Sequence, residues 1–199
     1  MDHSTIAAIA TPGGRGGIGV IKISGAKAVS IAAAIFAPSG RQSAANPGYV
    51  ASLQTATPND IDSHRLVYGH IINPDTGQIV DEVLLSVMKA PRSYTREDVV
   101  EINAHGGQIA LGAILELVCK HGARIAGPGE FTQRAFLNGR IDLTQAEAVI
   151  DIINARTEKS LQVATAQVEG KLRQSVEQIR EILVELLTHA EAAIDFPDD

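Results

Sequence analysis

Apolar residues alternate in short runs through the first part of the chain and recur every third or fourth position through its last part. That change of period predicts two folding regimes. Thr5–Ala10 and Ile18–Ser24 are β-branched runs separated by a glycine loop, which predicts two strands. Ala26–Phe36, rich in Ala and Ile, predicts a helix. From Phe36 to about Ser63 the scattered Pro, Gly, Ser and Asn predict a loop. Leu66–Ile72 and Ile79–Met88 flank Asn73-Pro74-Asp75-Thr76-Gly77, whose turn chemistry predicts a hairpin. Val99–Asn103 predicts another strand, and His105–His121 fits a helix after Gly106-Gly107. Strands with occasional helices predict an α+β domain over residues 1–121.

Residues 122–199 predict an all-helical segment. Gly127-Pro128-Gly129 is a turn, and Glu130 falls in the first turn of the following helix, where a carboxylate favours the N-terminus. Phe131 and Ala135 stack at i, i+4, and Asn138-Gly139 supplies a left-handed stop. Thr144-Gln145-Ala146-Glu147 reads as a capping box for a second helix with Val149, Ile152 and Ile153 on one face. Local physics explains these helices but not why Arg134, Asn138, Arg140, Asp142 and Gln145 crowd the corner between them. From Ser160 to Ile194 a long amphipathic stripe runs at steps of three and four, with Gly170 as a local weak point. One such helix cannot hide its apolar stripe alone. The few partner helices before Asp199 predict an incomplete bundle, in a fragment or a module that assembles.

Composition narrows the function classes. With 199 residues, 45% of them apolar, the chain can bury a real core. Aromatics make up only 4%, which argues against a base-stacking platform for single strands, and a net charge of −6 argues against broad contact with phosphate backbones. The single cysteine, Cys119, excludes an intramolecular disulfide and a cysteine-cluster zinc site, and its apolar helical setting predicts a buried structural thiol. With no signal-like segment and no membrane-length apolar run, a cytoplasmic protein with no membrane association is expected.

The formal dinucleotide fingerprint Gly14-Arg15-Gly16-Gly17-Ile18-Gly19 runs into the strand-like Val20-Ile21-Lys22-Ile23. Without a helix N-terminus for a pyrophosphate it predicts a turn between strands. Arg15 in this loop could reach an anion, with surface solvation as the default. No GxxxxGK[ST] occurs. Lys22 and Glu101 are charges inside strand patterns, so each sits at a solvated edge, is paired, or is held for a ligand. His105 reads as a loop histidine that caps the following helix rather than as a base or metal ligand. The charges at Glu177, Arg180, Glu181 and Glu185 read as the solvated face of the long helix.

The segment PGEFTQRAFLNGRIDLTQAEA, with IAAIATPGGRGGIGVIKISG, APRSYTREDVVEINAHGG and HAEAAIDFPDD, resembles the MnmE (TrmE) family of tRNA modification GTPases. The likeness runs through nearly the whole chain and is weakest between about Ala37 and Ser63. The resemblance implies that the first domain, itself similar to the folate-binding domain of the glycine-cleavage aminomethyltransferase, binds 5-formyltetrahydrofolate or a related tetrahydrofolate and forms a homodimer. On matching motifs, its cofactor-binding residues are the strand glutamate Glu101 and two basic residues, Lys22 and Arg140. It further implies that the complete protein works with the flavin-dependent partner MnmG (GidA) on carbon 5 of the wobble uridine of tRNA. GTP, magnesium and potassium belong to a GTPase domain absent from this chain, which alone is not expected to hydrolyse GTP and carries no catalytic residue of its own.

This chain departs from the family at several positions. Lys22 stands where the family usually has Arg, Arg140 where it has Lys, Arg96 where it has glycine, and Asn103-Ala104 replaces a more typical pair before His105. Charge survives the first two exchanges, but bidentate geometry does not transfer automatically between Arg and Lys. Two other classes stay open: a dimerising scaffold in which Lys22 and Glu101 merely pair, and a stand-alone folate-dependent one-carbon transferase, for which no residue has the position of a clear general base.

Overall fold

The computed structural model describes residues 4–14, 16–39 and 62–195. Arg15, most of the loop expected between Phe36 and Ser63, and the last four positions lie outside the described residues. The chain divides into two compact units, Met1–Asn138 and Gly139–Asp199.

Among the described residues, the first unit holds seven strands: β1 (Ile6–Ile9), β2 (Gly16–Ser24), β3 (Phe36–Pro38), β4 (Leu66–Ile72), β5 (Ile79–Met88), β6 (Val99–Gly106) and β7 (Arg124–Ile125). They form one sheet in the order β3-β4-β5-β6-β2-β1-β7, antiparallel except for the parallel pair β1 and β7. The helices of this unit are α1 (Ala28–Ile35), α2 (Gln108–Lys120) and α3 (Glu130–Leu137). In β2 the alternation of the sequence becomes an alternation of environment: Ile21 and Ile23 are fully buried, while the alternating Val20 and Lys22 are half-buried on the opposite face. α1 and α2 cover the buried face, bringing Ile31, Ile35, Leu111, Ile114 and Val118 onto Ile21, Ile23, Leu85, Val100 and Ile102. Alanines at 28, 32 and 33 let α1 lie close to the sheet.

The hairpin of β4 and β5 spans the residues expected of it. Its turn is closed by Asn73, whose side-chain Oδ1 accepts from the Asp75 amide at 3.0 Å and whose carbonyl accepts from the Gly77 amide at 2.8 Å. Gly77 takes the left-handed conformation, φ 70°, that this closure needs. Strand β6 runs on through His105 and Gly106, so α2 begins only at Gln108. His105 is therefore a strand residue, not the start of a helix.

The second unit is helical: α4 (Leu143–Asn154), α5 (Glu158–Val168) and α6 (Lys171–Asp195). The capping box of α4 is built two residues before the expected place. Asp142 Oδ1 accepts from the Gln145 amide at 2.8 Å, and Gln145 Oε1 accepts from the Asp142 amide at 3.0 Å. A carboxylate is the stronger acceptor at the positive end of a helix, and Thr144 serves it by donating its hydroxyl to the same oxygen at 2.7 Å. Thr157 and Ser160 form a second box that opens α5. The expected single helix from Ser160 to Ile194 is two helices, because Gly170 adopts φ 83° and ends α5. Gln145 Nε2 donates to the Val168 carbonyl at 2.7 Å and so satisfies the last turn of α5 from α4. Ala148 and Ala164, both buried, mark where those two helices meet. Among the described side chains of α6 the large apolar positions stay exposed, Ile179 at 59% and Leu186 at 60%.

Close approach at Gly69 generates a prediction. A Cβ there would meet the Ala37 carbonyl oxygen and the ring of fully buried Phe36, neither of which can yield, whereas a Cβ at Gly19 would meet only the end of the Leu111 side chain. Gly69→Ala is expected to cost about 2–3 kcal/mol and Gly19→Ala about 1 kcal/mol, read as urea midpoints at unchanged m.

Candidate functional site

The face of the sheet opposite α1 and α2 carries one row of paired residues across five strands. Cross-strand register places Leu66 opposite Ser86, Ser86 opposite Glu101, Glu101 opposite Lys22, and Lys22 opposite Ala8. At its centre Lys22 Nζ lies 3.2 Å from Glu101 Oε1, with the two side chains 23% and 31% exposed. Two rings flank the ammonium: its nitrogen is 5.4 Å from the centroid of Tyr94 and 5.8 Å from that of Phe131. These are cation–π distances, and such attraction strengthens as water is withdrawn. The Tyr94 and Thr132 hydroxyls share a hydrogen bond of 2.9 Å. The result is a cation, a carboxylate and two aromatic faces within one small area, all reachable from solvent.

Three separate segments deliver these side chains, and one buried knot ties them. Arg134 on α3 is only 6% exposed. Its Nη1 donates to both oxygens of Glu97 at 3.2 Å, and its Nη2 donates to Glu130 Oε1 at 3.0 Å. Glu97 Oε2 also accepts from the Ser24 hydroxyl at 2.7 Å, and that hydroxyl shares a further 2.7 Å bond with Thr95. Asn138 Nδ2 donates to the Thr95 carbonyl at 2.7 Å. Glu130 accepts from Arg124 through two bonds of 2.6 and 2.8 Å and from the Gly127 amide at 2.8 Å. The Arg124 guanidinium, then the Gly127 amide and Arg134, hold the Glu130 carboxyl down at a pKa of about 2 against an opposing cost of burial. This network accounts for Arg134 and Asn138, while Asp142 and Gln145 serve the α4 cap. Arg96 sits in the left-handed region at φ 59°, which favours glycine, and its Nη1 donates to the Asn138 carbonyl at 3.1 Å.

A second polar group lies farther along β6. His105 Nδ1 is 2.7 Å from Asp81 Oδ1, and the His105 amide donates to Asp81 Oδ2 at 2.8 Å. The Asp81 carboxylate raises the pKa of the imidazole, first through that hydrogen bond and then through its charge. The expectation that His105 caps α2 does not hold: the cap position is Gly107, and the ring is spoken for by an aspartate distant in sequence. His105 also lines a concavity of about 300 Å³ with Ile18, Tyr68, Glu82, Leu84 and Asn103. Within the second unit, a hollow of about 700 Å³ lies between α4 and α5, lined by Asp151, Arg156, Lys159 and Val163 among others.

Of the three sequence-predicted site residues, Lys22 and Glu101 are neighbours, and Arg140 belongs to the second unit, where it is exposed just ahead of the α4 cap. Sequence reasoning missed Tyr94, Phe131 and Thr132 as companions of Lys22. The signal available was the pair of aromatics in a chain with so few, each inside a long motif. Cys119 is half-buried rather than buried as expected, and burial pushes its thiol up from the ordinary value. No helix among the described residues is long and apolar enough to cross a membrane.

Comparison with known proteins matches residues 5–140 to the family described as GTP-binding protein TrmE N-terminus and residues 143–199 to the MnmE helical domain. Among similar proteins named tRNA modification GTPase MnmE, that of Geobacillus thermodenitrificans is 48% identical over 99% of this chain and 40% of its own length. The protein of Acetivibrio thermocellus is 53% identical over 98% of this chain and 39% of its own length. The protein of Carboxydothermus hydrogenoformans is 50% identical over 100% of this chain and 40% of its own length. The chain thus spans well under half of the relatives it matches.

The depressed Glu130 carboxyl fixes a pH dependence. A group whose folded pKa is about 2 against an ordinary 4.5 contributes stability that is fully present above the ordinary value and is lost as pH falls through the folded one. The amount is on the order of 3 kcal/mol. Glu130→Gln is expected to lower the melting temperature at neutral pH and to flatten its decline between about pH 4.5 and pH 2, measured by thermal melts across that window.

Proposed function

The chain belongs to the MnmE (TrmE) family of tRNA modification GTPases, of which it represents the N-terminal part, and on that premise we propose that its first unit binds a tetrahydrofolate one-carbon donor at the Lys22–Glu101 cluster. The single observation that carries this reading is the Lys22–Glu101 pair set between the Tyr94 and Phe131 rings on the sheet face opposite α1 and α2.

The chemistry suits such a ligand. A half-exposed carboxylate can accept two parallel N–H bonds from the amino group and ring N–H of a pterin. Aromatic faces accept a planar ring system, and a lysine ammonium meets ring carbonyl oxygens or the carboxylates of a glutamate tail. When bound, the folate supplies a one-carbon unit. The residues of this chain bind and orient it. Glu101 would fix the ring edge, Lys22 would neutralise an oxygen, and Tyr94 and Phe131 would exclude water from its faces. Arg140 enters as a second cation on the strength of its motif alone. The complete protein is proposed to modify carbon 5 of the wobble uridine of tRNA with the flavin-dependent partner MnmG, with GTP, magnesium and potassium used by residues outside this chain.

The 3.2 Å separation of Lys22 and Glu101 equally suits the scaffold reading, in which the pair serves only itself. Calorimetric titration with 5-formyltetrahydrofolate separates the two. Micromolar binding is expected for the parent, with a loss of at least tenfold in Glu101→Ala and smaller losses in Lys22→Ala and Arg140→Ala. Undiminished binding by Glu101→Ala would end the folate assignment.

We also propose that the first unit forms a homodimer through its open sheet face, where Ile18, Leu66, Tyr68 and Leu84 leave an apolar strip in water. Sedimentation at micromolar concentration is expected to give a dimer for the parent and a monomer for Leu84→Asp. A monomeric parent refutes the proposal.

A further inference from the structure

The cluster around Lys22 is assembled from three stretches of chain, and each stretch is gripped by the buried knot within a few residues of the side chain it supplies. β2 supplies Lys22 and is held at Ser24, whose hydroxyl donates to Glu97. The loop before β6 supplies Tyr94 and is held at Thr95 and Glu97. α3 supplies Phe131 and Thr132 and is held at Glu130 and Arg134. One group, the Arg134 guanidinium, touches both acids, joining the loop to the helix.

Distance along the chain makes that link matter. Tyr94 and Phe131 are not neighbours in any regular element, and beside the Lys22 cluster their segments are tied by the hydroxyl bond between Tyr94 and Thr132, with Asn138 tying them again at the Thr95 carbonyl. A hydroxyl pair at a half-exposed site can be exchanged for water at little cost. A planar guanidinium spanning two carboxylates, itself almost wholly out of water, fixes both separation and angle. A lysine at this position could keep the charge but has one nitrogen where the guanidinium uses two, Nη1 on Glu97 and Nη2 on Glu130.

We propose that Arg134 is a positioning residue for the Lys22 cluster: without meeting a ligand, it bridges Glu97 and Glu130 and thereby sets the spacing of the Tyr94 and Phe131 rings about the Lys22 ammonium. Its bearing on ligand affinity rests on the reading of that cluster as a folate site, but the geometry can be tested apart from it.

The geometric test uses the ring currents of Tyr94 and Phe131, which shift the Lys22 side-chain protons upfield. Lysine labelled with carbon-13 at Cε, with the Lys22 signal assigned through Lys22→Arg, reports this in the unliganded full chain. Lys120, paired with Asp75 at the hairpin turn, serves as an internal reference. Arg134→Met is expected to move the Lys22 signal to the position of unshifted lysines, and Arg134→Lys to leave it in between, with Lys120 and the far-ultraviolet dichroism unchanged. The same variants are expected to bind 5-formyltetrahydrofolate about tenfold and about threefold more weakly. Parent-like Lys22 signals in both variants overturn the proposal, and so does parent affinity in a variant whose Lys22 signal has moved. Should Arg134→Met fail to fold, Arg134→Lys and Glu97→Gln decide the matter by the same two readings. A parent that binds no folate sinks the ligand assignment, and the Lys22 signal then decides the role of Arg134 by itself.

Discussion

A guanidinium taken almost wholly out of water has to be met by carboxylates, and Arg134 is met by two that come from different parts of the chain. The pairing is costly to assemble and more costly to break. It holds because those acids are engaged further, by Ser24, Arg124 and the Gly127 amide. The short helix α3 would be marginal in isolation at eight residues. It is kept by this knot and by Asn138, which reaches back to the Thr95 carbonyl. Around it the sheet divides its labour by face: α1 and α2 cover the side of Ile21 and Ile102, and the other side presents Lys22 and Glu101.

Much of this architecture was legible because its determinants are local. Alternation in Ile18–Ser24 and Ile79–Met88 and the turn residues between Ile72 and Ile79 require no distant partner to be read. What escaped was decided over long range or by competition between near-equal signals. Thr144 and Asp142 both qualify as caps, and the carboxylate prevails because it is the better acceptor. Gly170 lies within an unbroken apolar period, and only its left-handed backbone, with Gln145 receiving the freed end of α5, separates two helices. His105 follows a strand pattern and precedes a helical one. An aspartate on β5 binds both its amide and its ring and keeps it in the strand.

The candidate site was legible to the same degree. Charges within strand patterns single out Lys22 and Glu101 as solvated, paired or held for a ligand, the family motifs add Arg140 and the expectation of a ligand, and antiparallel register sets the first two side by side. The aromatic flank was not readable, because it depends on how α3 and the Tyr94 loop return over the sheet, and that return is set by ion pairs between residues 97 and 134. Arg96 illustrates how such a return is accommodated: a left-handed backbone that glycine would take freely is occupied by an arginine that anchors itself on the Asn138 carbonyl.

The placement of Lys22 and Glu101 in mid-strand also bears on how β2 and β6 find each other. Slipping their alignment by a single residue would reverse which side chains face the helices. The ammonium would then be driven among positions now filled by Ile21 and Ile23, both sealed from water. The native alignment keeps both charges wet and within reach of each other, so the pair weighs against a one-residue slip of the central strands.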